Sequence, residues 1–132
     1  MISITSKSVY ALSALVELAH HEGGDPIPVS ELARRRQLPA QFLEQLFGAL
    51  RRANIVASRR GVKGGYVLAR PAARITALEV VQTLDGEIAE DQLSIPPWGE
   101  VVGELRNQLA ERTLAMLADA ERTGAGDAMY YI

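Results

Sequence analysis

The sequence of 132 residues contains no cysteine. That absence excludes disulfide bonds, zinc sites and iron–sulfur clusters held by thiolates, and thiol nucleophiles. No apolar run approaches the roughly 20 residues that span a bilayer, and the first twenty residues lack a signal-peptide pattern. We therefore expect a cytoplasmic protein with no membrane partner. With 48% hydrophobic and 23% charged residues, the composition favours one soluble globular domain, or a small domain with an extra helix.

The formal net charge of -2 conceals two parts of opposite sign that meet near Ile75. Eleven basic and five acidic residues precede this point, whereas three basic and eleven acidic residues follow it. A basic first part and an acidic second part are typical of a polyanion-binding module joined to a self-associating or regulatory element. Ordinary solvated charge is the alternative.

Apolar residues recur at helical spacing in three successive segments of the basic part. The first runs from Ser6 to His21, and the second opens at residues 28–30 and ends in the arginines of 34–36. The third has a core face and a polar face. The core face consists of Phe42, Leu43, Leu46, Phe47 and Leu50, and the polar face of Gln41, Glu44, Gln45, Gly48, Arg51 and Arg52.

Two β-rich runs, residues 55–59 and 66–71, flank a glycine-rich loop and predict a hairpin. A short helix, a turn, a second helix with a polar outer face and a basic hairpin together form the winged version of helix-turn-helix. The predicted fold class is therefore mainly α with a small β-hairpin, namely a winged helix-turn-helix domain with a long dimerisation helix.

Beyond Ile75, Thr76 and Glu79 predict a capping box that opens a fourth helix ending at Gly86. An amphipathic stretch follows Pro97 and forms either one helix or two, the second capped by Thr113. We predict a winged domain at 1–86, a linker and dimerisation region at 87–123, and a flexible tail at 124–132 with a glycine hinge. The apolar stripe assigned to dimerisation consists of Trp98, Val102, Leu105 and Leu109.

The residue types on the third helix and the hairpin match those that read double-stranded DNA. Gln41 and Gln45 can form paired contacts to adenine, and Glu44 can accept from a cytosine amino group. Arg51 and Arg52 can neutralise phosphates, and the basic residues of the hairpin tip can reach a neighbouring groove. Those tip residues are Arg59, Arg60 and Lys63. A solvated helix face, a purely stabilising hairpin and a winged-helix protein-interaction module that never binds DNA are the alternatives.

Other motifs indicate no catalysis, metal or cofactor. His20 and His21 are adjacent and cannot both face one metal ion from a regular helix, so a solvated or capping role is expected. The Gly61-x-x-Gly-Gly segment lacks the lysine and helix start of a phosphate loop. We therefore expect a protein that is not an enzyme.

Three segments resemble the Rrf2 family of bacterial transcriptional regulators. They are Thr5-Ser6-Lys7 with Tyr10-Ala11-Leu12, Phe42-Leu43-Glu44-Gln45-Leu46-Phe47, and Arg60-Gly61 with Gly64-Gly65-Tyr66-Val67-Leu68. The resemblance covers residues 1–86. It implies a homodimer that binds an inverted repeat of double-stranded DNA, with Ser6 and Lys7 among the contacts. Ser8-Val9 replace a Gly-Arg pair that is frequent in the family.

Many family members hold an iron–sulfur cluster with three cysteines between the fourth and fifth helices, and this chain has none there. It therefore resembles the cluster-free branch, the repressors of cysteine metabolism, some of which end in a tail like Met129-Tyr130-Tyr131-Ile132. The resemblance implies control through a complex with cysteine synthase (O-acetylserine sulfhydrylase). A regulator that senses a small molecule between the winged domain and the long helix is the alternative.

The tail exposes three large apolar side chains and a carboxylate after a predicted hinge. We expect Ile132 to enter a small anion-binding pocket of the partner, with its side chain in an adjoining apolar slot, while Tyr131 seals the mouth. Tyr130 is assigned to the same partner contact. Packing of the tail on the protein's own dimer is the alternative.

Overall fold

A computed structural model describes residues 5–62, 64–86 and 97–127. In these ranges it contains six α-helices and one two-stranded hairpin. The helices are α1 (Ser6–His20), α2 (Val29–Arg36), α3 (Ala40–Arg52), α4 (Ala77–Asp85), α5 (Trp98–Glu111) and α6 (Leu114–Asp127). The strands are β1 (Val56–Arg59) and β2 (Gly65–Leu68), and a short 3₁₀ helix spans Ala72–Arg74. The predicted fold class, mainly α with a small β-hairpin in a winged helix-turn-helix arrangement, is confirmed.

One apolar core lies between the first four helices, the hairpin and α6. Its largest fully buried side chains include Phe47 and Leu50 of α3, Leu15 of α1 and Leu114 of α6. Phe47 also packs edge-to-face against Tyr66, with ring centroids 5.1 Å apart. The core face predicted for α3 is thus the face that is buried.

The turn between α2 and α3 is short because Gln37 adopts a left-handed conformation, with φ of 55°. In this turn the Leu38 N–H donates to the Ala33 carbonyl, and Pro39 then precedes the first residue of α3. Capped in this way, α2 ends at Arg36 and α3 begins four residues later.

The hairpin pairs antiparallel, with Val56 opposite Leu68 and Arg59 opposite Gly65. Ile27 adds a third backbone partner, because Ile27 and Tyr66 exchange N–H to carbonyl hydrogen bonds of 3.0 and 2.9 Å. At Gly65, a Cβ would stand only 2.4 Å from the carbonyl carbon of Ile27. This glycine is therefore required for the hairpin to approach the segment that precedes α2.

The stretch after Pro97 forms two helices, which resolves the choice left open above. Thr113 separates them: its hydroxyl accepts from the Met116 N–H, and the residue pairs in a short bridge with Thr76. Because Leu114 is fully buried in the core, α6 packs against the winged domain and is not a detached extension.

Two predictions about this region are wrong. Residues 124–127 belong to α6 and are not a hinge, since each glycine costs a helix only about 1 kcal/mol and the helix is anchored by buried Leu114 and Ala118. Val102 is 0% exposed, so it belongs to the interior of this chain and not to an outer stripe. Its neighbour Val101, 53% exposed, faces outward instead. Residues 128–132 lie outside the described residues.

Candidate nucleic-acid interface

The outer face of α3 is polar and open to solvent over its whole length. Gln41, Glu44, Gln45, Arg51 and Arg52 are all exposed. The core-facing side chains of the same helix hold it in place, and Phe42 additionally packs edge-to-face on Tyr10 of α1. The structure therefore brings all five predicted α3 residues to one surface.

Not every basic residue of the first part is available to a polyanion. Arg34 and Arg35 pair with Glu31, and Arg35 and Arg36 pair with Glu17. Arg70 pairs with Glu79. By contrast, Arg51, Arg52, Arg59 and Arg60 take part in none of the ion pairs found within residues 5–62, 64–86 and 97–127. Within the described residues of the first part, the positive charge open to a ligand is thus held by these four arginines together with Lys7 and Arg74, which are also exposed.

The hairpin tip presents Arg59, Arg60, Gly61 and Val62 to solvent. Gly64 closes the loop through its N–H, which donates to the Gly61 carbonyl at 2.9 Å. The remaining predicted tip residue, Lys63, lies outside the described residues. Two of the three predicted cations of the hairpin are therefore placed at its tip.

The start of α1 is fastened to the end of α4 by Asp85. The Asp85 carboxylate accepts from the Thr5 N–H at 3.0 Å, from the Thr5 hydroxyl at 2.6 Å and from the Ser8 hydroxyl at 2.5 Å. Ser8 is fully buried, so this bond satisfies its hydroxyl, while Ser6 and Lys7 remain exposed. Sequence reasoning missed Asp85, since no local pattern links residues 77 positions apart.

Replacing Asp85 with Asn should destabilise the fold by about 1–2 kcal/mol at neutral pH, because the bonds to Thr5 and Ser8 lose their ionic acceptor. Burial alone would raise the pKa of Asp85, but hydrogen bonds from Ser8 and Thr5 and the charge of Lys7 hold that pKa below its usual value. The stabilisation is therefore complete above the usual pKa and is lost as pH falls through the lowered one. Urea unfolding across a range of pH measures the difference in unfolding free energy between the wild type and Asp85→Asn, and Asp119→Asn is the exposed control. If that difference stays the same as the pH becomes acidic, Asp85 does not stabilise the fold in this way.

In the described residues, the histidines bond carboxylates and the enclosed cavity beside α1 is too small for a metabolite. His20 bonds Glu121 at 2.8 Å and His21 bonds Glu17 at 3.0 Å, and no group of three metal-ligating side chains occurs in the part of the chain that is described. A cavity of about 50 Å³ beside α1 and β2 has room for water only. A wider, open depression is lined by polar residues of α4 and by Arg70.

A recognition helix with an exposed polar face, preceded by a short helix and followed by a basic hairpin, defines a DNA-binding winged helix-turn-helix protein. None of the helices in the described ranges is long and apolar enough to span a membrane. A family model described as "Rrf2: Iron-dependent Transcriptional regulator" matches residues 4–120. The chain belongs to the Rrf2 family of transcriptional regulators, and the resemblance drawn from the sequence is confirmed.

The curated relatives are named as regulators and not as enzymes. The HTH-type transcriptional regulators IscR of Xenorhabdus nematophila and of Sodalis glossinidius are each 39% identical to this chain over 85 residues. Those matches cover 64% of this chain and 52% of each relative, so the chain matches about half the length of these relatives.

Solved structures match over more of the chain. CymR, "the Global Cysteine Regulator of B. subtilis", superposes with a TM-score of 0.75 at 34% identity, covering 90% of this chain and 98% of that one. IscR of T. potens superposes with a TM-score of 0.79 at 32% identity, and the match covers 92% of this chain and 90% of that one. CymR of Staphylococcus aureus, in its oxidised form, superposes with a TM-score of 0.76 at 37% identity, and the match covers 89% of this chain and 96% of that one.

Proposed function

We propose that this chain is a homodimeric repressor that binds an inverted repeat of double-stranded DNA and carries no iron–sulfur cluster. The observation that carries the proposal is the row of exposed Gln, Glu and Arg side chains on the outer face of α3, together with the exposed arginines of the hairpin tip. Such a surface offers base-edge contacts from a helix and phosphate contacts from its flanks.

Each group of residues has a separate role in this proposal. Gln41, Glu44 and Gln45 read base edges in the major groove, and Arg51 and Arg52 hold phosphates at the end of the same helix. Arg59, Arg60 and Lys63 contact the neighbouring groove or backbone. Ser6 and Lys7, held at the start of α1 by Asp85, add contacts at the phosphate backbone.

Selection from a random duplex pool, followed by footprinting, tests this function. We expect a two-fold symmetric footprint whose half-sites lie about one helical turn, or a small multiple of it, apart. The control is binding of the selected duplex against poly(dI-dC) at several salt concentrations. A footprint without two-fold symmetry would refute the dimer, and failure to select any sequence would favour the interaction-module alternative.

We place the dimer contact on the outer side of α5. Val101 is exposed there, and Leu105 and Leu109 follow at helical spacing with only part of their surface covered by this chain. Trp98 belongs to the same proposed surface through its sequence position. Val102 is omitted because it is buried within the chain. An exposed apolar face of this kind is typical of a self-association surface.

Replacing Val101 with Glu should convert the dimer to a folded monomer, because a charge would have to be buried in the contact. Sedimentation and circular dichroism measure the two properties. Asn107→Glu, an equal charge change at another exposed position of α5, should leave the dimer intact. A dimeric Val101→Glu protein would exclude this surface. Truncation after Gly86 is a poorer test, since it removes Leu114 from the core.

We propose further that the regulator controls cysteine metabolism through a complex with cysteine synthase. The absence of cysteine leaves no thiolate for a cluster, and a matched structure is named for cysteine regulation. The segment assigned to the contact, Tyr130 to Ile132, supplies three large apolar side chains for a pocket of the partner.

Deleting Ile132 should reduce the affinity for purified cysteine synthase by at least about tenfold, because the apolar side chain of Ile132 is lost from the contact. Calorimetry with and without O-acetylserine measures the affinity, and the substrate should compete with the intact tail. The matched control, Ala128→Ser, keeps the terminal residues. Equal affinity of the deletion variant and the full chain would assign the tail a structural role and would favour a small-molecule effector.

A further inference from the structure

An ion-pair cluster connects the C-terminal helix to the first helix of the helix-turn-helix. The Arg36 guanidinium donates to both carboxylate oxygens of Glu121, at 2.6 and 2.8 Å, and through Nε to Glu17 at 3.1 Å. His20 of α1 bonds the same Glu121 carboxylate at 2.8 Å. Three helices, α1, α2 and α6, therefore meet at one arginine, and its partner Glu121 is 85 positions away in the sequence.

This cluster differs from the other surface ion pairs in its burial and geometry. The side chains of Arg36 and Glu17 are only 14% and 15% exposed and that of Glu121 is 44% exposed, whereas Arg122 and Asp119 on α6 are 59% and 72% exposed. A paired arginine with two parallel bonds holds orientation as well as charge. The bonds from Arg36, against the opposing effect of burial and with help from His20, lower the pKa of Glu121 to about 2. Glu121 is therefore ionised at neutral pH.

The position of Arg36 gives the cluster a consequence for α3. Arg36 is the last residue of α2, and α3 begins four residues later, after the tight turn at Gln37. Because so few residues separate them, a shift in the position of Arg36 also shifts the start of the recognition helix α3.

We propose that Glu121 is a positioning residue for DNA recognition: through Arg36 it fixes the helix-turn-helix against α6, so that the outer face of α3 is presented at one angle. The proposal rests on the proposed DNA contact by α3. Glu121 itself touches no DNA in this scheme.

The charge of Glu121 makes the test decisive. A positioning role and a purely electrostatic effect predict opposite changes in DNA affinity when Glu121 is neutralised. Glu121→Gln removes a negative charge, which by electrostatics alone raises affinity for a polyanion. If Glu121 positions α3, the same change lowers affinity for the selected duplex by about three- to tenfold while affinity for poly(dI-dC) is unchanged or higher. Asp119→Asn, the same charge change on the same helix, should not lower the ratio of the two affinities.

Fluorescence anisotropy at a temperature where circular dichroism shows every variant folded measures both affinities. A Glu121→Gln protein that behaves like Asp119→Asn overturns the proposal. If Glu121→Gln does not fold, Glu121→Asp is the second variant, because it keeps the charge but has a shorter side chain. It should lower the ratio of the affinity for the selected duplex to the affinity for poly(dI-dC) in the same way. An unchanged ratio overturns the proposal.

Amide hydrogen exchange provides a readout that needs no DNA. Glu121→Gln should speed exchange in the last turn of α2 and the first turn of α3, while Asp119→Asn leaves both unchanged. Unchanged exchange in α2 and α3 overturns the positioning role. If the wild-type chain selects no duplex but exchange responds as described, the proposed DNA contact fails while the connection from α6 to α3 stands.

Discussion

Replacing Gly65 with Ala should destabilise the protein by about 3–5 kcal/mol and release the hairpin from the helix-turn-helix. The added Cβ would stand 2.4 Å from the Ile27 carbonyl carbon and 2.5 Å from the Pro28 nitrogen. Both are backbone atoms, so no side-chain rotation relieves the overlap. Gly65 also has φ of 155°, which alanine rarely adopts. Urea unfolding measures the free energy, and binding to the selected duplex measures the loss of the hairpin contacts.

Gly124→Ala is the matched control for this substitution. Gly124 lies in α6, and a Cβ there meets nothing within 4 Å. The change should therefore stabilise the protein by about 0.5–1 kcal/mol through helix propensity. A Gly65→Ala protein within 1 kcal/mol of wild type, measured against this control, would show that the hairpin is not held against Ile27 as described.

Removing both hairpin arginines, Arg59→Ala with Arg60→Ala, should weaken DNA binding about ten- to hundredfold near 0.1 M salt. The loss should be similar for the selected duplex and for poly(dI-dC), because phosphate contacts carry little sequence information. The slope of log affinity against log salt should become shallower by about 1–2, as each lost phosphate contact releases about 0.9 fewer counterions. Titrations at four or more salt concentrations measure both quantities.

The matched control removes two other exposed arginines, Arg34→Ala with Arg122→Ala. The net charge changes equally, but both residues are already paired, with Glu31 and Asp119. Their loss should leave the salt slope nearly unchanged. Equal slopes for the two double variants would mean that DNA affinity depends only on the net charge of the protein. The hairpin would then be a structural element.

Local patterns were enough to predict most elements of the fold. Amphipathic spacing placed α1 and α3, Thr76 and Glu79 form the expected capping box, and the hairpin lies where the glycine-rich loop predicted it. The exposed outer face of α3 could also be predicted from this spacing, because a helix that buries one face in the core leaves the opposite face in solvent.

Features that depend on distant contacts could not be predicted. The pairing of Ile27 with Tyr66 involves a single residue, which leaves no alternating pattern, and the Asp85 and Glu121 contacts join residues far apart in the chain. In α5 the apolar residues are too evenly spread to tell Val101 from Val102, and only packing on α4 decides which is inside. The break at Thr113 likewise depends on its bridge to Thr76.

The Ile27–Tyr66 pairing bears on how the protein responds to DNA shape. Because β2 shares backbone hydrogen bonds with the segment that opens α2, the offset between α3 and the arginines at the hairpin tip is set by the protein. If α3 and the hairpin tip both contact DNA as proposed, the duplex has to adapt its groove width and bend to reach both contacts. The energy of that deformation depends on base steps that no side chain touches, so the hairpin anchor provides a route to indirect readout of sequence.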